Sequence, residues 1–166
     1  CVGTSSAADA ELALTTLRLT LGSLPVLPLG SCDKPDEAFT QWILFKNSGI
    51  HQIGLGYDFD LIDPEDGAKA KFRKTDPNNE TSGLIEMGMR CEKIALSTPD
   101  LHFSVDNNLT FSSIIDRRDT SDEIDPEEEP EVRYEADVIL ASDMLSLLVK
   151  TTIDALGGFP ESTEKE

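Results

Sequence analysis

The stretch "IGLGYDFDL" at residues 53–61 alternates apolar side chains with polar residues or glycine at every position. Ile53, Leu55, Tyr57, Phe59 and Leu61 share one parity. Because successive side chains of a β-strand point to opposite faces of a sheet, this pattern predicts a long strand with one buried face.

Further segments of β-type patterning follow one another along the chain, separated by turn residues. They are "ELALTTLRLTL", "AFTQWILFK", "AKAKFRK", "LIEMGMRCEKIAL", "LHFSV", "LTFSSII" and "VRYEADVIL". "AKAKFRK" is typical of an edge strand protected by charge, and Asp106-Asn107-Asn108 indicates a hairpin between "LHFSV" and "LTFSSII". Only "ASDMLSLLVKTTIDALGG" favours helix, a short one that runs into a last strand. The sequence therefore predicts an all-β fold, an antiparallel β-sandwich or jelly roll with one short helix near the C-terminus.

The length of 166 residues suits one ordinary domain. We expect an N-terminal leader or donor segment at residues 1–14, a single β-sandwich domain at 15–160 and a tail at 161–166. Residues 116–131 form an acidic loop within that domain. The formal net charge of −18 repels phosphates and anionic lipids, so it predicts that the chain has no nucleic-acid partner. No apolar run reaches the roughly 18 residues that cross a bilayer, which predicts no transmembrane segment.

The first residue is cysteine rather than methionine, which favours removal of a signal peptide and an extracellular or cell-surface location. In an oxidising compartment Cys32 and Cys91 could form a disulfide, and the alternative is two buried thiols in a reducing compartment. Cys1 could then carry a lipid, bond a neighbouring chain or be an incidental terminus. Two Asn-x-Ser/Thr triplets make Asn79 and Asn108 candidate glycosylation sites.

The sequence contains no recognisable catalytic motif. His51 and His102 do not have the spacing of zinc ligands, and the nucleophile and phosphate-loop signatures are absent. We therefore predict no catalytic residues and no enzymatic activity. The candidate metal ligands are acidic residues that could bind calcium through oxygen atoms: Asp58, Asp60, Asp119, Asp122 and Asp125. A solvated acidic loop is the alternative for the last three, and no cofactor is required.

The stretches "PDEAFTQWILFKNSGIHQIGLGYDFDL" and "ASDMLSLLVKTTIDALGG", together with the N-terminal β segment, resemble the TasA/camelysin class of secreted fibre proteins. The Cys32/Cys91 pair and the acidic loop depart from that pattern. The resemblance implies a jelly-roll structural subunit of an extracellular or cell-surface filament, such as a pilus-like fibre of a biofilm matrix. Such a subunit polymerises head to tail with itself by donor-strand complementation, in which one chain completes the sheet of the next.

The leucines change parity near Thr15-Thr16, and this change is the basis of the donor-strand hypothesis. Leu12 and Leu14 share one parity, whereas Leu17, Leu19 and Leu21 share the other. We expect Leu12 and Leu14 to pack into the neighbouring subunit, and a simple β-bulge is the alternative. Two other functions stay open: a secreted or lipid-anchored binding module, lectin-like and calcium-dependent, and a viral capsid or decoration jelly roll.

Overall fold

The computed structural model describes residues 3–4, 6–26, 29–49, 52–117 and 130–160. Within these ranges the elements, in chain order, are α1 (Ala7–Leu21), α2 (Pro35–Phe45), β1 (Gly54–Ile62), β2 (Lys69–Phe72), α3 (Asn79–Glu86), β3 (Arg90–Ser97), β4 (Leu101–Asp106), β5 (Phe111–Asp116) and α4 (Pro130–Ala155). The protein therefore has an α/β architecture. The predicted all-β sandwich or jelly roll with one short helix is wrong.

The five strands form one antiparallel sheet in the order β2-β1-β3-β4-β5. The alternating strand predicted at residues 53–61 is confirmed as β1. The segment "AKAKFRK" contains β2, which lies at an edge of the sheet as its charges predicted. The predicted hairpin is also confirmed, since β4 pairs with β5. Alternation therefore identified the strands in the middle of the chain.

Helix α2 replaces the strand predicted for "AFTQWILFK". Its buried residues include Phe39, Trp42 and Ile43, which are three and four positions apart and form one helical stripe. On a strand the same spacing places apolar residues on both faces, which led to the wrong prediction. The start signals of a helix are present, because Pro35 begins the first turn and Asp36 and Glu37 follow it.

Helix α1 contains Leu12 and Leu14, the residues assigned to a donor strand. The spacing of Leu14, Leu17 and Leu21 by three and four is helical, and it produces the parity change that was interpreted as a strand switch. The Thr16 hydroxyl donates a hydrogen bond of 2.9 Å to the Leu12 carbonyl, one helical turn earlier. Donor-strand complementation needs an extended segment, whereas these leucines lie on a helix that buries none of its residues.

Helix α4 replaces both the strand predicted at "VRYEADVIL" and the last strand predicted after Lys150. Its C-terminal half buries Leu148, Thr152 and Ile153, which again have helical spacing. The backbone beyond the helix is held by the loop before α2. The amide of Asp33 donates to the Leu156 carbonyl at 2.9 Å, and the amide of Cys32 donates to the Gly158 carbonyl at 3.1 Å.

The hydrophobic core lies between one face of the sheet and helices α2, α3 and α4. Its buried members are Phe39, Trp42, Ile43, Ile53, Phe59, Leu61, Ile85, Met89, Cys91, Ile94, Leu96, Leu101, Phe103, Val105, Leu148 and Leu156. We call the strand face that contributes to this core the inner face. Burial of these side chains supplies the main favourable term in folding.

One predicted domain boundary lies inside a helix, and the predicted tail lies outside the described residues. Helix α1 crosses the predicted boundary between residues 14 and 15. Cys1, residues 118–129 of the acidic loop and the tail at 161–166 lie outside the described residues. The division into a leader, one domain and a tail stays a prediction. Among the described residues, no helix is both long and apolar enough to cross a membrane.

Candidate functional site: the outer face of the sheet

The face of the sheet opposite the core, here called the outer face, carries charged and hydroxyl side chains. Asp60 on β1 lies directly opposite Lys71 on β2 and Lys93 on β3. Lys93 in turn lies opposite Asp106 on β4, and Ala95 lies opposite Ser104. Directly opposed residues of neighbouring strands point to the same face, so the register places these polar side chains together.

Five basic side chains lie on this face at or beside β2 and β3. We call them the basic cluster: Lys69, Lys71, Arg73, Arg90 and Lys93. The six residues 69–74 contain four of the 14 basic residues of the chain and no acidic residue. In a chain with a formal net charge of −18, this is a strong local concentration of positive charge.

The side chain of Arg73, which follows β2, is held against β1 and β2 by hydrogen bonds from one of its nitrogen atoms. Its Nη1 donates to Asp60 Oδ1 at 2.5 Å and to the carbonyls of Phe72 at 2.7 Å and Phe59 at 3.3 Å. Asp60 is only 8% exposed. Its hydrogen bond raises the pKa of the Arg73 guanidinium, so the arginine stays charged. The pair therefore holds a cation at a defined place on the outer face.

A bulge in β1 directs Asp58 towards the turn that follows β2. Between the pairs Leu55–Leu96 and Phe59–Ile94, three residues of β1 face one residue of β3, Ala95. At Gly56, a Cβ atom would lie 2.7 Å from the Ala95 Cβ, so only glycine fits this approach. Asp58 Oδ1 accepts a hydrogen bond of 2.7 Å from the backbone amide of Lys74, and this contact supports the left-handed backbone of that lysine, whose φ is 51°.

A small polar cavity of about 130 Å³ lies in the middle of the outer face. It is lined by Asp58, Phe59, Asp60, Arg73, Lys93, Ser104 and Ser113. Ser113 has a φ of 53° and lies at a second bulge, between β4 and β5. Beside it, Lys93 Nζ donates to the Ser112 hydroxyl at 2.8 Å. The cavity therefore offers hydrogen-bond donors next to carboxylates, within a face that carries the basic cluster.

The predicted calcium ligands Asp58 and Asp60 lie on the outer face, where each accepts a hydrogen bond from the segment after β2. The other three, Asp119, Asp122 and Asp125, lie outside the described residues. Across the ranges that the structure describes, no group of three or more His, Cys, Asp or Glu residues could hold a metal ion. Calcium binding stays a prediction.

The structure keeps Cys32 and Cys91 apart as free thiols, so the predicted disulfide is not formed. Cys91 is buried in the core, and this burial raises the pKa of its thiol well above the usual range. Cys32 is exposed, and its thiol contacts the Phe159 carbonyl at 3.4 Å. Of the two buried thiols in the alternative prediction, only that of Cys91 is buried.

The remaining predicted sites lie on surface turns or outside the described ranges. Asn79 begins α3, and Asn108 lies in the turn between β4 and β5, so both are exposed. Their glycosylation stays a prediction, as does the lipid or intermolecular bond of Cys1. His51 is also outside the described ranges. His102 lies on the outer face opposite Ser97, and its Nδ1 is buried with no hydrogen-bond partner in the described structure.

The basic cluster was not predicted as a site. The charges of "AKAKFRK" were interpreted as protection of an edge strand, and the net charge was applied to the whole surface. The available signal was the local run at residues 69–74. Arg90 and Lys93 could not be added to it without the register, because only the pairing of β3 with β1 brings them onto the same face as β2, two strands away.

These features define a class: an α/β protein with one apolar sheet face packed under helices and one charged sheet face that presents lysine and arginine. Two comparisons assign it to a family. A family model described as "Putative exonuclease, RdgC" matches residues 1–159. The chain is also 34% identical over 169 residues to the recombination-associated protein RdgC of Yersinia pestis (strain Pestoides F), and equally so to that of Yersinia enterocolitica serotype O:8 / biotype 1B. The chain belongs to the RdgC family.

Each of these alignments covers 95% of this chain and 53% of the relative. The chain thus spans about half the length of the curated relatives it matches. The resemblance to TasA/camelysin proteins is wrong, and so are the filament subunit, the lectin-like module, the viral jelly roll and the head-to-tail polymer. Relatives associated with recombination also contradict the secreted, extracellular or cell-surface location and the expectation of no nucleic-acid partner.

Proposed function

We propose that this chain binds DNA through the basic cluster and contributes that contact to a protein of recombination. The relatives are named for recombination, a process whose substrate is DNA. The observation that carries the proposal is the gathering of Lys69, Lys71, Arg73, Arg90 and Lys93 on one face of a strongly acidic chain. Lysine and arginine are the side chains that most often bind DNA phosphates.

The net charge of −18 does not prevent such a contact. At physiological salt, exposed charges more than about 8 Å apart are largely screened from each other. A phosphate that touches the basic cluster therefore interacts mainly with the cations beside it. The distant acidic residues weaken the approach of DNA instead, so we expect modest affinity and a steep dependence on salt.

The spacing of the basic cluster suits contacts to the DNA backbone. Lys69 and Lys71 are two residues apart on one strand, which corresponds to about 6.6 Å. The cluster then continues across β1 to β3, over two strand spacings or about 9.6 Å. Cations at these distances can contact neighbouring phosphates without reaching base edges. We therefore expect binding that depends little on DNA sequence.

The proposed role is not enzymatic. The two carboxylates nearest each other along β1 already have structural partners, since Asp60 pairs with Arg73 and Asp58 accepts the Lys74 amide. These contacts give both carboxylates a structural role on the outer face, and we assign neither of them a catalytic one. Because the matching family model is described as an exonuclease, hydrolysis of DNA is the alternative that an assay must address.

Charge reversal at Lys71 tests the binding face. Lys71 is exposed and has no ion pair among the described residues, so Lys71→Glu removes a phosphate contact without breaking an internal bond. In fluorescence anisotropy with a labelled random-sequence duplex, we expect about tenfold weaker binding and a salt slope reduced by about one. Lys150→Glu, on the exposed side of α4, makes the same change in net charge and should alter the affinity less than about twofold.

Equal weakening by Lys71→Glu and Lys150→Glu would contradict a defined binding face, and absence of any DNA binding by the unmodified chain would contradict the function. The non-enzymatic part is tested separately. End-labelled single-stranded and duplex DNA should stay intact after incubation with the chain and Mg²⁺ or Mn²⁺. Shortened products would show a nuclease and leave the binding face unaffected.

A further inference from the structure

Lys69 differs from the other members of the basic cluster because a carboxylate already holds it in a bidentate contact. Its Nζ lies 2.8 Å from Glu92 Oε1 and 2.6 Å from Glu92 Oε2. Lys69 opposes Ile62 on β1, and Ile62 opposes Arg90 on β3. The lysine side chain therefore reaches across the whole of β1 to a carboxylate on the far strand.

A third bulge places Glu92 on the outer face together with Lys93. Leu61 and Asp60 are consecutive on β1, but their partners Cys91 and Lys93 are separated by Glu92 on β3. Two charged residues therefore stand between the buried Cys91 and Ile94, and neither enters the core. Bulges commonly redirect a side chain at a functional surface. Here the bulge adds a negative charge to the middle of a basic cluster.

The contact between Lys69 and Glu92 has little structural value. The lysine side chain is 45% exposed and the glutamate side chain 27%, and exposed ion pairs contribute little to stability. The second ion pair that the described residues form on the outer face is different. Arg73 also donates to two backbone carbonyls and its partner Asp60 is nearly buried, so that pair fixes strands to each other. The Lys69–Glu92 pair links only two side chains, and a phosphate could displace it without disturbing the backbone.

We propose that Glu92 is an internal competitor for DNA phosphate at Lys69, an inference that rests on the proposed DNA-binding function. A carboxylate with two oxygens on the ammonium group occupies the place that two phosphate oxygens would take. The DNA must therefore replace Glu92 before Lys69 contributes a contact. Glu92 lowers the affinity of the face and sets how many lysines bind at a given salt concentration.

A double-mutant cycle tests the competition. Glu92→Gln keeps the shape and removes the charge, so it should free Lys69 for one more phosphate. With a slope of about 0.9 per phosphate, binding to a labelled duplex at 0.1 M salt should tighten about five- to tenfold, and the slope should steepen by about 0.9. In the Lys69→Ala background, Glu92→Gln should change the affinity less than about twofold and leave the slope unchanged.

A matched control distinguishes the effect of this contact from the effect of a change in net charge. Glu135→Gln, at an exposed position of α4, removes one negative charge elsewhere and should leave binding within about twofold. An unchanged affinity in Glu92→Gln, with weaker binding in Lys71→Glu, would overturn the competition and leave the DNA-binding face intact. A steeper slope that persists without Lys69 would show that Glu92 acts through space and would also overturn it. Absence of binding by every variant would overturn the proposed function itself.

Discussion

The inner and outer faces of the sheet are made by the same strands and have opposite chemistry. On β1, β3 and β4 the residues Phe59, Ile94 and Phe103 are almost fully buried against the helices. Their neighbours Asp60, Lys93 and Ser104 point to the other side and form hydrogen bonds or line the polar cavity. Because the two sets alternate along single strands, the residues that stabilise the fold lie on one face and the charged and hydrogen-bonding residues lie on the other.

The two faces also differ in regularity. The apolar residues of the inner face stay aligned across the strands. The bulges in β1, β3 and β5 instead place their extra residues on the outer face. Each bulge keeps two or three consecutive residues out of the core: Gly56–Asp58, Glu92–Lys93 and Ser112–Ser113. Irregular pairing is thus concentrated where charged groups must be positioned. Substitutions on the two faces should separate stability from DNA binding.

The largest difference in the free energy of unfolding is expected between substitutions at two adjacent residues of β4. Phe103 is 0% exposed and packs at a tilted angle against Phe111, with ring centroids 6.1 Å apart. Phe103→Ala should lower the free energy of unfolding by about 3–5 kcal/mol, because it leaves a cavity in the core. His102→Ala, one residue away on the outer face, should cost less than about 1 kcal/mol. Urea denaturation followed by circular dichroism measures both, and equal losses would contradict the division between faces.

A smaller loss is expected where α2 is bonded to the sheet at the β3 bulge. Thr40 is 3% exposed, and its hydroxyl accepts the Cys91 amide at 2.9 Å and donates to the Asp36 carbonyl at 2.6 Å. Thr40→Val keeps the volume but leaves that buried amide without a partner, so it should cost about 1–3 kcal/mol of unfolding free energy. Thr40→Ser should retain most of the stability. If valine and serine behave alike, the hydrogen bond is not what holds α2 at the bulge.

The sequence predicted the sheet better than the helices, and for a physical reason. β1 has one buried face and therefore alternates, while β4 and β5 are joined by a recognisable turn. In α1 and α2 the apolar residues recur every three or four positions over only a few turns, so these segments were interpreted as strands. The helix start signal at Pro35 was overlooked. The candidate site could not be assembled in advance, because Lys69 and Glu92 meet only across an intervening strand and through a bulge.

The smallest effect on stability is expected at the contact proposed to limit DNA binding. Glu92→Gln breaks an exposed ion pair and should change the free energy of unfolding by less than about 1 kcal/mol. Asp60→Asn, on the same face, should cost more, since Asp60 is nearly buried and its charge holds Arg73 beside two backbone carbonyls. Denaturation at low and high salt distinguishes the two. A loss of more than about 2 kcal/mol in Glu92→Gln would mean that the pair holds the strands together, and its proposed displacement by phosphate would then be too costly to occur.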